Sequence, residues 1–377
     1  MNSVMIFGLG ELGGWVLELL ARSSGVDSIV TCDFREKWGF MKTESAAIGA
    51  GQQGYNKAIV FEKCDVNNID ATAELIHKYQ PNMIYSALTL LGWLEIRILP
   101  EAIGPRYWRS TVCNMPGNTI LVSKLMQARK IAGSSAPVLN NSFPDGVNPV
   151  LWRNGLGPAI GGGNIDLITG EIKRAVSVKK GVPFSDVMVY MICDHAVVPQ
   201  SAYVDGAKIE APYFLKIMIS DRDITNEFDI ERLILDSVLM GSHSGQTSQI
   251  NHPSVAASSV KNILAILNNT NEFTHAPGPN GLPGGYPVRI GAKEITVVLP
   301  KEITLEEAIK MNLEGLKHEG INEIKDDGTV VLTEEAYNIQ RELYGVDLKE
   351  YQFADMEELA TTLSAKGREL IAKYQKS

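Results

Sequence analysis

The residues with the clearest chemistry in this 377-residue chain are Gly8-Leu9-Gly10-Glu11-Leu12-Gly13, which follow a short apolar run at residues 4–7. A strand leading into glycines at this spacing, with a helix after them, makes a cradle for a pyrophosphate. Gly8 permits the tight turn, Gly10 lets the backbone come close to the phosphates, and Gly13 lets the helix pack on the strand. Residues 15–21 supply the apolar face of that helix. Glu11 and Leu12 open it, where free N–H groups and the helix dipole favour an anion. A second apolar run, 28–32, ends in Asp33. This lies about twenty residues beyond Gly13, where a carboxylate accepts hydrogen bonds from an adenosine ribose. Such a carboxylate repels a 2′-phosphate, so the cofactor is read as NAD rather than NADP, with Phe34 and Arg35 beside it.

These residues need a parallel sheet to hold them. The pattern predicts strands at 58–61, 82–87 and 137–139 and a closing strand near 159–160, with helices at 71–78 and 114–130 between them. Residues 1–160 therefore read as an α/β domain of Rossmann type, a doubly wound parallel sheet that binds its ligand outside the carboxyl ends of the strands. Asp65-Val66, after the third strand, is either an adenine contact or the N-cap of the next helix. Ala87-Leu88 ends the fourth strand on the nicotinamide side. Residues 91–109, with little periodicity, read as an active-site lid that holds Arg97, Arg106 and Arg109 beside Trp93, Tyr107 and Trp108. Residues 161–377 read as an α+β substrate domain. Its predicted helices are 165–179, 255–267, 334–344 and 356–374, with one more opened by the capping box Thr304 to Glu307. Its strands are 187–192, 214–219, 288–290 and 295–299, and the Gly- and Pro-dense run 275–287 reads as loop.

Composition narrows the partners. A formal net charge of −9 argues against nucleic acid and anionic membranes. Four scattered cysteines (Cys32, Cys64, Cys113, Cys193) without a CxxC pair read as reduced thiols. The first strand begins close to Met1, and no apolar run reaches membrane-spanning length. The expectation is a cytoplasmic enzyme with a small-molecule substrate.

Two stretches of the second half belong together. Gly161-Gly162-Gly163-Asn164-Ile165-Asp166 opens a helix, and the strand 187–192 ends in Cys193-Asp194-His195. This order resembles the lactate/malate dehydrogenase superfamily, which also contains NAD-dependent glycosidases. The resemblance covers most of the chain and extends to residues 141–148, similar to that family's Asn-Pro turn, and to the late helix with Thr247, Ser248 and Ser254. It implies a substrate domain of lactate/malate dehydrogenase type and a homodimer or homotetramer. His195 would be the proton-transferring acid/base, with Asp166, or else Asp194, as its orienting carboxylate. Asn141 would hold substrate or nicotinamide. Arg106 would polarise a substrate carbonyl, with Arg97 and Arg109 nearby. His252 and Ser254 would border the substrate pocket, as would Asn164. Hydride transfer to a carbonyl needs a proton delivered to oxygen, which an imidazole held by a carboxylate supplies.

This chain departs from the family at one telling position. Three residues after the helix Asp, where the family's dehydrogenases carry an arginine, stands Thr169. A hydroxyl does not replace a bidentate guanidinium, so a plain 2-hydroxy acid is not the expected substrate; the polar cluster of Gln249, His252 and Ser254 would suit a polyhydroxylated secondary alcohol such as a sugar or sugar acid, with no metal. Three alternatives remain. One is an NAD-retaining hydrolase or lyase of glycosidase type, with a metal at Asn164 and His195. Another is a short-chain epimerase or reductase, against which Tyr213 and Lys216 have the wrong spacing. The last is a non-catalytic NAD sensor.

Overall fold

The computed structural model describes residues 2–92, 99–100, 103, 106, 109–198, 208–240 and 248–375. The first half alternates strand and helix: β1 (Ser3–Phe7), α1 (Glu11–Ala21), β2 (Ser28–Asp33), α2 (Glu36–Gln52), β3 (Ala58–Lys63), α3 (Ile69–Tyr79) and β4 (Met83–Ser86). It continues through α4 (Met115–Ile131), β5 (Val138–Asn140), α5 (Pro144–Arg153) and β6 (Ile160–Gly161). Every pairing is parallel, in the order β3-β2-β1-β4-β5-β6. Central β1 is buried on both faces from Val4 to Phe7, as expected for a sheet covered by helices on each side. The strand order reverses between β1 and β4, which opens a crevice at the carboxyl edge.

The second half forms α6 (Ile165–Lys180), β7 (Val187–Cys193), β8 (Tyr213–Ile219), β9 (Arg222–Asp223), α7 (Ile230–Met240) and α8 (Ser248–Asn268). After these come β10 (Glu272–Pro277), β11 (Gly285–Ile290), β12 (Ile295–Val297) and α9 (Leu305–Leu316). The order β10-β11-β7-β8-β9, with β12 on β11, makes a second, antiparallel sheet. A third sheet joins β13 (Ile321–Ile324), β14 (Val330–Leu332) and β15 (Glu350–Tyr351), with α10 (Glu334–Tyr344) and α11 (Met356–Gln375) around it.

The run 275–287, expected as loop, is instead largely a hairpin of β10 and β11, with His275 opposite Pro287. Only its middle turns, at Gly278, Asn280, Gly281 and Gly284, all with positive φ. Pro287 still takes part through its carbonyl, which accepts the Val298 N–H at 2.9 Å just past β12, while β7 pairs with β11 only at Gly285.

The two halves share their cores. Helices α1 and α8 pack on each other within the chain. Likewise α11 packs on α4, and Leu121, Leu125, Tyr351 and Leu363 lie in one apolar cluster. Among the described residues no helix is long and apolar enough to cross a membrane.

Candidate active site

The glycine turn after β1 has the geometry its sequence demands. Gly8 sits at φ +90°, and a Cβ there would stand 2.9 Å from the Ala87 carbonyl oxygen at the end of β4. A Cβ on Gly13 would lie 1.9 Å from the Gly8 carbonyl oxygen, so only glycine lets α1 approach. Around Gly10, in contrast, nothing lies within 4 Å of where a Cβ would be. Gly10 is also the N-cap of α1 and provides no side-chain cap, so the helix start faces open space suited to an anion.

Asp33 braces this turn. Its Oδ2 accepts the Leu9 N–H at 2.8 Å, and its Oδ1 accepts the Arg35 backbone N–H at 2.9 Å. The Arg35 guanidinium adds Nε and Nη2 bonds at 3.0 Å each. Burial pushes the Asp33 carboxyl up, but these hydrogen bonds outweigh it and hold it below its ordinary value. A ribose would thus share Asp33 with Arg35. The guanidinium lies 5.6 Å from the Phe34 ring and 5.5 Å from the Trp38 ring, and the Trp38 indole donates to the Leu9 carbonyl at 2.8 Å. Trp38 was not singled out in the sequence. Asp65 is exposed at the end of β3 and accepts from the Asn67 backbone and side chain at 3.0 and 2.9 Å. Asn68, not Asp65, caps α3. Val66 is buried in the core. The Leu88 carbonyl receives the Ser142 hydroxyl.

The second centre forms where β7 ends. Asp194 caps a short 3₁₀ turn, His195–Val197, by accepting the Ala196 N–H at 3.0 Å, and this fixes the backbone that presents His195. His195 Nδ1 lies 2.9 Å from Glu319 Oε1. Burial pushes the imidazole down, but the Glu319 bond and charge, helped by Asp145, raise it above its ordinary value. Glu319 went unnoticed in the sequence because it is far away in the chain. It stands at the end of the 3₁₀ turn Lys317–Glu319, which continues α9. The capping box did announce that helix: Thr304 N–H donates to Glu307 Oε2 at 2.8 Å. Its buried stripe reads Ala308, Asn312, Gly315, Leu316 and Glu319. Two polar side chains on a core-facing stripe were the available signal.

Asp166, expected to orient His195, does not. Its oxygens accept from Lys261 Nζ at 2.7 and 2.8 Å, from Ser258 Oγ at 2.5 Å and from Thr274 Oγ1 at 3.1 Å. Burial raises this carboxyl, and Lys261 and Ser258 more than reverse it. Consecutive helix side chains point about 100° apart, and the rotation of α6 points this acid toward α8 and β10. His275 completes that neighbourhood as a neutral ring: burial pushes it down to about 3, and its Nε2 accepts the Met191 N–H at 3.2 Å.

Other expected residues fall as follows. Asn164 precedes α6 with φ +46° and ψ −114°, an unfavourable conformation for a side-chain-bearing residue, and its amide donates to Asp145 Oδ2. Asn141 packs on the 161–163 turn and accepts from Ser259 Oγ at 2.9 Å. Arg106, expected in catalysis, binds Glu342 at the surface at 2.8 Å. Arg109 pairs with Glu210 at 3.0 Å and Glu335 at 3.4 Å, while its backbone carbonyl adjoins Gly320. Arg97, Trp93, Tyr107, Trp108 and Thr247 lie outside the described residues. His252, expected at the substrate, has Nδ1 3.3 Å from Glu11 Oε1, beside the glycine turn, and Ser254 is exposed. Thr169 is buried and donates to the Asp166 carbonyl at 3.2 Å. Tyr213 and Lys216 lie three apart on β8, on opposite faces of the sheet.

No family model and no curated protein matches this chain. Solved structures do match in shape. Lactate dehydrogenase from Cryptosporidium parvum, complexed with lactic acid and NAD, superposes with a TM-score of 0.60 at 15% identity over 84% of this chain and 95% of that one. Malate dehydrogenase from Plasmodium falciparum, in complex with NADH, gives 0.58 at 14% identity over 98% and 100%. A lactate dehydrogenase from a deep-sea metagenome gives 0.59 at 13% over 84% and 98%. The chain therefore has the lactate/malate dehydrogenase fold, a Rossmann sheet followed by an antiparallel domain.

Proposed function

We propose that this protein is an NAD-dependent oxidoreductase interconverting a secondary alcohol and its carbonyl. One observation carries the reading: His195 is held by a buried carboxylate at 2.9 Å, beside residues that follow β5 and β6 on the same sheet edge as the glycine turn. The cradle suits the cofactor, since Gly10 leaves room for a pyrophosphate and Asp33 presents a carboxylate to a ribose. Bound there, NAD supplies the hydride acceptor, and every proton movement falls to the chain. Glu319 keeps the proton on Nδ1 and stabilises the imidazolium, so Nε2 takes the alcohol proton during oxidation and returns it during reduction. NADH-bound and NAD-bound relatives of the same fold support the cofactor assignment. A polyhydroxylated substrate has lost its basis, since His252 faces Glu11 and Ser254 faces solvent.

The test is absorbance of reduced nicotinamide as the protein and NAD meet a panel of secondary alcohols. The reading predicts net NADH formation that falls by roughly 10²–10⁴ in His195→Ala. NADH formation that survives in His195→Ala would overturn it.

A further inference from the structure

The adenosine end of the cradle turns on Asp33, whose hydrogen-bonding capacity is already taken up. An ionised carboxylate offers about four lone-pair sites. Oδ1 receives the Arg35 backbone N–H at 2.9 Å and Arg35 Nε at 3.0 Å. Oδ2 receives the Leu9 N–H at 2.8 Å and Arg35 Nη2 at 3.0 Å. The side chain is only 3% exposed. A ribose diol needs a free acceptor, and so reaches Asp33 only by taking a place from Arg35.

Arg35 is well anchored in that place. Its guanidinium meets Asp33 side-on through Nε and Nη2, and such charge-assisted pairs are roughly twice as strong as neutral hydrogen bonds. The rings of Phe34 and Trp38 flank it at 5.6 and 5.5 Å. Trp38 is itself tied to the glycine turn by its bond to the Leu9 carbonyl. The remaining N–H groups of the guanidinium have no hydrogen-bond partner among the described residues, and the side chain is 43% exposed. Lys63, opposite Asp33 in the register of β2 and β3, is spent on Glu36 at 2.9 Å. Beside the ribose position, then, stand a saturated acceptor and a held guanidinium with donors to spare.

A lone carboxylate here would repel a 2′-phosphate, but the guanidinium bound to Asp33 offsets that charge. A 2′-hydroxyl finds no vacant acceptor, whereas a phosphate finds vacant donors on a planar fork that suits its oxygens. We propose that Arg35 reads the 2′ position of the cofactor, so that this cradle takes the 2′-phosphate of NADP at least as tightly as the 2′-hydroxyl of NAD. The inference rests on the reading of the glycine turn as a dinucleotide site, and it concerns binding, which is measured without turnover.

Calorimetry on the full-length protein compares NAD with NADP, and adenosine 5′-monophosphate with adenosine 2′,5′-bisphosphate, two fragments without the nicotinamide half. NADP should bind at least as tightly as NAD, and the bisphosphate roughly tenfold tighter than the monophosphate, as expected for a hydrogen bond to a charged group. Arg35→Met keeps an apolar stem beside Phe34 and Trp38 without the charge. It should weaken both 2′-phosphorylated ligands by about tenfold, while NAD binds as before or tighter because Asp33 is freed. Arg35→Lys, which keeps the charge, should retain part of the preference, and thermal melts check that both variants fold. NAD binding the wild-type protein more than about tenfold tighter than NADP overturns the inference, as does Arg35→Met weakening all four ligands alike. If neither dinucleotide binds, the cofactor reading fails and this inference falls with it.

Discussion

Replacing Glu319 with glutamine tests the centre of the proposed mechanism. The side chain keeps its shape, so α9 and the turn at Lys317–Glu319 should persist. What disappears is the charge 2.9 Å from His195 Nδ1. Two charges about 4 Å apart at an effective dielectric near 20 attract by roughly 4 kcal/mol. His195 is 23% exposed and Glu319 only 6% by side chain, so about half of that survives screening, a factor of roughly 30 in stabilising the imidazolium. Glutamine also offers an N–H₂ that can hold the wrong tautomer, which brings the expected loss in kcat/KM to roughly 10²–10³. The pH profile gives a second readout. His195 is raised above its ordinary value by Glu319, and alcohol oxidation needs its neutral form. Wild-type oxidation therefore rises with pH along a limb above about 6.5. In Glu319→Gln that limb moves to lower pH, with Asp145 as the remaining charge that acts on the ring. The same sign governs stability: the pair contributes fully below about pH 6.5 and loses its contribution as pH rises through the raised value. Steady-state kinetics from pH 5 to 9 checks both. A variant within threefold of wild type, with its limb unmoved, would refute the role of Glu319.

The glycine turn separates folding from binding. Gly10→Ala meets nothing within 4 Å and should melt like wild type while losing NAD affinity at least tenfold, whereas Gly13→Ala drives a Cβ to 1.9 Å from the Gly8 carbonyl oxygen and should fail to fold stably. Calorimetry with NAD and thermal melts distinguish the two. Asp166→Asn removes the acid bound by Lys261, Ser258 and Thr274. Because Lys261 is 35% exposed and can turn to water, the expected destabilisation is about 2–3 kcal/mol, below the full cost of a broken buried pair, with kcat unchanged in the folded fraction. A large kcat loss with an unchanged denaturation midpoint would restore Asp166 to the catalytic centre.

The order of β1, the glycines, α1, β2 and Asp33 was legible in the sequence because each step is local. A strand period, a tight turn and a helix start are fixed by residues a few positions apart, and glycine is required wherever a Cβ has no room. The strands β7 and β8, helix α6 and the capping box of α9 were legible for the same reason. His195 was visible at a strand end. Its partner was not, since choosing between Asp166, Asp194 and Glu319 depends on which way a helix is rotated and where α9 crosses β7. The rotation of α6 points Asp166 at Lys261, and a helix from 124 residues further on, as counted between the paired side chains, supplied Glu319 instead. The 275–287 run shows the same limit, because glycine and proline mark a turn while the strands beside it are made by partners distant in sequence. The sequence alone therefore determined the glycine turn that opens α1 and the place of His195 at the end of β7. Only the tertiary structure, by bringing Glu319 and Asp145 to His195 out of water, decided the electrostatic surroundings of that imidazole.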